Sequence, residues 1–167
     1  MTPTAAAALA NVLNFVVFAL IAAWYVAPWL AAKPRASAIT ILLWVHAFRD
    51  VALQIFSAQQ FGFAVSDSTR NVIAAGDLLG MALAVGAIIA LRYRRASVAM
   101  FLIVAFAAET AFDLVYTSIL GVREQLYATA SALTFLIVAF YVPLLWVSLG
   151  LLIWQLCVRR REPLAHG

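Results

Sequence analysis

Five stretches of the chain, roughly 5–30, 37–57, 71–91, 97–120 and 126–157, are long and almost wholly apolar. That feature constrains the fold more than any other. About 20 mostly apolar residues in a helix cross the hydrocarbon core of a bilayer. In lipid every backbone N–H and C=O must find its partner inside the structure, so a spanning segment is a helix unless it closes a barrel. No period-2 alternation supports strands. The sequence therefore predicts an all-α, integral membrane bundle of five transmembrane helices, one domain over 1–167 with a basic tail over 158–167. Composition agrees: the chain is 66% hydrophobic and 11% charged, where soluble domains are about 45–50% apolar and about 25% charged. The first stretch carries no Lys or Arg before Asn11 and exceeds a signal peptide's apolar region of about 7–15 residues, so it reads as a retained span.

The connections alternate in charge. Lys33 and Arg35 mark the first, and Arg92, Arg94 and Arg95 mark the third. Arg159, Arg160 and Arg161 mark the tail. In the second and fourth connections, Asp67 cancels Arg70 and Arg123 cancels Glu124. Basic residues gather on the cytoplasmic side of membrane proteins, which predicts an outside N-terminus and a cytoplasmic C-terminus. The same distribution argues against nucleic acid as a partner and for the lipid bilayer. Breakers punctuate the spans: Pro28 and Pro34 flank the end of the first, Gly62 sits in the longest connection, and Gly121 is the expected left-handed residue closing the fourth.

The informative residues are ionisable and lie inside the spans: His46, Arg49, Asp50, Asp77, Glu109 and Asp113. A charge at the centre of a spanning helix costs about 2.5–3.5 kcal/mol on insertion scales, and such residues face the bundle interior or a water-filled cavity. At about 1.5 Å per residue, Asp50, Asp77 and Asp113 all fall roughly 9–11 Å below the outer boundary, with Arg49 just beneath. His46 and Glu109 fall roughly 16 Å deep, where they are expected to approach each other. His46, Arg49, Asp50, Leu53, Gln54 and Ser57 share one helical stripe, as do Glu109, Asp113, Tyr116 and Thr117. Gly76, Gly80 and Ala84 recur at every fourth position, a pattern that lets another backbone approach inside the bundle or in a homo-oligomer. The arrangement predicts one polar cleft among the second, third and fourth helices. Asn14, Ser131, Thr134 and Tyr141 are added from the first and fifth, and Pro143 is a candidate kink.

Four carboxyl groups face a single arginine, so the surplus acids are expected to be protonated or bound to a cation. Arg49 and Asp50 adjoin in sequence and do not face each other on a helix, which makes Asp77 or Asp113 the expected partner. Several chemistries are excluded. His46 and His166 are the two histidines, so a bis-histidine haem has no second intramembrane ligand. Lys33 is the single lysine, so a buried Schiff base has no amine. Cys157 is the single cysteine. No HExxH, GxSxG or phosphate-cradling glycine loop occurs. Three readings remain: binding or transport of a proton, cation or small polar molecule in an acidic, outward-facing cleft; a structural or accessory subunit whose polar network fixes packing; and a membrane enzyme with a metal held by His46, Asp50, Asp77, Glu109 and Asp113.

Overall fold

The computed structural model describes residues 1–164. His166 and the last part of the basic tail lie outside the described residues. Among the described residues the protein is all-helical, a bundle of five helices long and apolar enough to cross a membrane: α1 (Pro3–Ala31), α2 (Arg35–Gln60), α3 (Asp67–Arg92), α4 (Ala96–Arg123) and α5 (Ala132–Val158). The connections alternate between two ends, called here the Gly62 end and the Arg94 end. The first, third and fourth helices are close to the sequence expectation. The fifth is shorter than 126–157, because Leu126–Thr129 forms a separate helical turn and Ala130 and Ser131 are extended. Ser131 and Thr134 start α5 locally: the Thr134 hydroxyl accepts from the Ser131 N–H at 2.9 Å.

Helix ends follow local chemistry. Thr2 caps α1, accepting from the Ala5 N–H at 3.2 Å, with Pro3 in the first turn. Ser66 caps α3 in the same way through Thr69. At the far end of α3 the Arg95 N–H reaches the Ala90 carbonyl and the Arg94 N–H reaches that of Leu91, with Arg94 at φ +55°. This is a Schellman closure with arginine where glycine is usual, a strain of about 1 kcal/mol. Gly121 does not close α4. The helix runs on to Arg123, and Gln125 is the left-handed residue, at φ +53°.

Pro28 lies inside α1 rather than at its end, and Pro143 lies inside α5. A π-helical turn precedes each, Ala22–Val26 and Ile137–Tyr141. The wider turn makes room for a ring that would otherwise clash with the carbonyl four residues back. In α5 it leaves two carbonyls without helical partners. Val142 donates to Ile137 instead of Val138, and Pro143 has no N–H for Ala139. Asn11 and Asn14, one turn apart on α1, supply the donors: Asn11 to Val138 at 2.7 Å and Asn14 to Ala139 at 2.8 Å. Asn14 therefore staples α1 to α5 and does not enter the polar cleft.

The second helix departs most from expectation. It is α-helical over Arg35–His46, turns at Ala47 and Phe48, is 3₁₀ over Arg49–Leu53, and resumes as α over Gln54–Gln60. No glycine or proline occurs between Trp44 and Phe61, so the cause is tertiary and lies in what Arg49 reaches. The core fills the half towards the Arg94 end, where Leu30, Ile39, Leu43, Ile103, Phe106, Leu149 and Leu152 are fully buried. A smaller cluster of Ile55, Phe63, Val65 and Leu126 closes the Gly62 end.

Candidate functional site

The site lies between these two clusters and is organised by Arg49, whose side chain is fully buried. Its Nε donates to Asp77 Oδ1 at 2.7 Å from α3. One terminal nitrogen donates to Thr110 Oγ1 at 3.0 Å, and the other donates to Asp113 Oδ2, both on α4. The nitrogen that serves Thr110 also stands 3.7 Å from Glu109 Oε2, and the Thr110 hydroxyl donates to that oxygen at 3.1 Å. Every guanidinium nitrogen therefore has a hydrogen-bond acceptor, and the planar fork holds α2, α3 and α4 together.

Two glycines make this possible. A Cβ on Gly76 would overlap the Asp113 carboxylate, and one on Gly80 would overlap the Arg49 guanidinium and stand 3.0 Å from Glu109 Oε2. The small-residue seam on α3 thus admits charged side chains as well as a close helix. Its third member, Ala84, is buried in the apolar core.

Of the residues expected in the site, Arg49, Asp77, Glu109 and Asp113 come together, and Asp50 and His46 do not join them. Asp50 is exposed. The 3₁₀ stretch explains this: with three residues per turn, the buried positions of α2 run His46, Arg49, Ala52 and Ile55. Asp50 leaves the face it would share with Arg49 on a regular helix. His46 is fully buried, but its ring packs edge-on against Phe106 at 4.9 Å, and neither ring nitrogen has a partner among the described residues. His46 and Glu109, expected to approach each other, share no hydrogen bond among the described residues, and Glu109 turns to Thr110 and Arg49. Without His46 and Asp50 the metal-ligand set dissolves: among the described residues no three His, Cys, Asp or Glu groups converge to hold a metal.

Thr110 was not legible as a member. An uncharged residue in an apolar span gives no warning, although it stands beside Glu109 and one turn before Asp113. Tyr141 approaches from α5 and donates to the Val45 carbonyl at 3.1 Å, beside the break in α2.

A cavity of about 110 Å³ opens next to the cluster, towards the Gly62 end. Asp77 and Asp113 reach it from one side, and Ile55, Leu114, Val138 and Leu145 give it apolar walls. Gln54, Thr117, Thr134 and Tyr141 supply scattered polar groups, and Phe63, Leu126 and Tyr127 border it from the connections. Asp77 keeps 16% of its side chain accessible and Asp113 keeps 8%, whereas Arg49 keeps none. Each aspartate gives one oxygen to Arg49; the second accepts no hydrogen bond among the described residues. The site can therefore offer carboxylate oxygens to a guest that is apolar over most of its surface.

No curated protein matches the chain, and no solved structure does. A family model matches residues 6–157, and the chain belongs to that family, described as a domain of unknown function (DUF8737).

Proposed function

We propose that the protein crosses a membrane five times, with its N-terminus outside and its C-terminus in the cytoplasm, and binds a small organic cation in the cavity beside Asp77 and Asp113. Membrane insertion is supported by what the bundle leaves uncovered. Trp24, Tyr25, Phe101 and Phe112 are each 65–72% exposed, and only 11% of the most apolar window of α1 is buried. A surface of that kind is compatible with lipid and costly in water. The orientation rests on the arginines of the Arg94 end set against the balanced charges of the Gly62 end.

The carrying observation is the pair of partly accessible aspartates at an apolar cavity. Three carboxyl groups share one guanidinium, so the cluster holds up to two surplus negative charges. A proton or a cationic guest offsets them. The walls favour an ammonium group on an apolar body over a hydrated metal ion, because they give a hydration shell few partners.

Reconstituted protein titrated with n-alkylammonium chlorides from ethyl to hexyl tests this. The expected thermal shift grows with chain length until the cavity is full, exceeds that of sodium chloride at equal ionic strength, and disappears in Asp77→Asn. No shift beyond the salt control, or an undiminished one in Asp77→Asn, overturns the reading. The full engagement of Arg49 favours a second reading, a network that only fixes packing. On that reading Asp77→Asn lowers the melting temperature and no alkylammonium ion raises it.

A further inference from the structure

We infer that the turn joining α3 to α4 seats an anionic phospholipid, its headgroup on Arg94 and Arg95 and an acyl chain in the groove beside Gly86. The inference rests on the membrane reading above and concerns the opposite end of the bundle from the cavity. The groove runs between α3 and α4, with Gly86, Ile89, Ala90, Val98 and Leu102 along it and Tyr93 and Arg95 at its head. Its walls are uncovered: Ile89 and Val98 are each about half exposed. Gly86 keeps it deep, since a Cβ there would already stand 3.6 Å from Leu102 Cδ1.

The head of the groove is cationic. Arg92, Arg94 and Arg95 are all exposed, and none enters an ion pair among the described residues. The turn is also built against local preference, because Arg94 holds a left-handed φ of +55° in a position that favours glycine. A glycine would close the helix with less strain but would remove a cation from the boundary. The closure fixes the Arg95 backbone through its bond to Ala90, so the guanidinium that heads the groove projects from a rigid turn. Clustered arginines above an apolar interhelical groove match a phosphate ester carrying an acyl chain, and zwitterionic lipids lack the net charge to satisfy them.

Native mass spectrometry of detergent-solubilised protein, offered phosphatidylglycerol and phosphatidylcholine in equal amounts, reads the seat directly. The expected result is a single retained phosphatidylglycerol, favoured at least tenfold. Arg95→Gln and Arg94→Gly should bring the preference near parity, with Arg94→Gly melting at or above the unaltered protein because its turn relaxes. Gly86→Leu keeps every charge and fills the groove, and it should lose the retained lipid as well. Parity in the unaltered protein, or full preference in Gly86→Leu, overturns the seat. Displacement of the lipid by excess inorganic phosphate overturns it too, since the arginines then hold a free anion. Flotation with vesicles tests membrane insertion separately, so a protein that floats but shows no lipid preference counts against the seat alone.

Discussion

The two halves of the bundle solve different problems with the same helices. Towards the Arg94 end, α2 is a regular α-helix and its neighbours meet it with leucine, isoleucine and phenylalanine. There most contacts are dispersion forces among close-packed side chains, and the exceptions are local: a π turn makes room for Pro28, and Arg35 and Arg159 tie the helix ends together through backbone carbonyls. Towards the Gly62 end the same helix tightens to 3₁₀, α3 presents two glycines, and a guanidinium meets three carboxyl groups beside a cavity. Polar groups in a low-dielectric interior must be satisfied almost completely, so here the backbone yields to the side chains. In the apolar half the side chains fit the helices, and in the polar half the helices fit the side chains.

The sharpest way to break that comparison is one substitution made in both halves. Gly80→Leu puts a side chain where the Arg49 guanidinium lies, and Gly150→Leu puts one where nothing stands within 4 Å. Gly80→Leu displaces Arg49 from all its acceptors at once and should cost more than about 4 kcal/mol. Gly150→Leu should stay within about 0.5 kcal/mol of the unaltered protein. Reversible unfolding in mixed micelles measures both. Similar losses would mean that the small-residue seam serves helix contact alone.

The next test stays inside the polar half. Asp113→Ala leaves Arg49 short of an acceptor in a buried site, and a guanidinium cannot escape by losing its proton. The loss should be about 3–5 kcal/mol. Arg49→Met should cost less, because a stranded carboxyl can take up a proton. The double mutant should recover part of the loss, with a coupling above about 1 kcal/mol. Additive losses would show that Arg49 and Asp113 do not act as a unit, and would remove the electrostatic half of the contrast.

Much of this was legible, and the failures share a cause. Arg49, Asp77, Glu109 and Asp113 stood out because an ionisable residue in an apolar span is costly and must turn inward. Asp50 stood out for the same reason and was misplaced. A regular helix turns about 100° per residue and a 3₁₀ helix about 120°, so a short tight stretch moves its face. Nothing between Trp44 and Phe61 announces that change. The glycine spacing was visible, but whether a glycine receives a backbone or a carboxylate depends on the opposite helix. Asn11 and Asn14 acquire their role only once the π turn before Pro143 frees two carbonyls. Local signals thus located the buried polar cluster, while tertiary demands decided which residues complete it.

A smaller loss than either Gly80→Leu or Asp113→Ala is expected outside both halves, where the connections of the Gly62 end meet. Glu124, just past α4, accepts from the Ser66 N–H at 2.9 Å and the Ser66 hydroxyl at 2.7 Å, and also from the Thr69 hydroxyl. Its charge sits at the N-terminus of α3, where a helix favours an anion. The Ser66 backbone N–H, with the Thr69 and Ser66 hydroxyls behind it, holds its pKa below the ordinary value of 4.5. A lowered folded-state value means that the stabilisation is fully present above about pH 4.5 and fades as pH falls through the folded value. Glu124→Gln should therefore destabilise the protein by under about 1 kcal/mol near neutrality. The difference should shrink towards zero on acidification, as melting curves of both proteins between neutral pH and pH 3 would record. A gap that holds constant with pH would mean that shape and hydrogen bonding, rather than the carboxylate's charge, tie α4 to the start of α3. The loops of the polar end would then be fastened as the apolar half is, by fit alone.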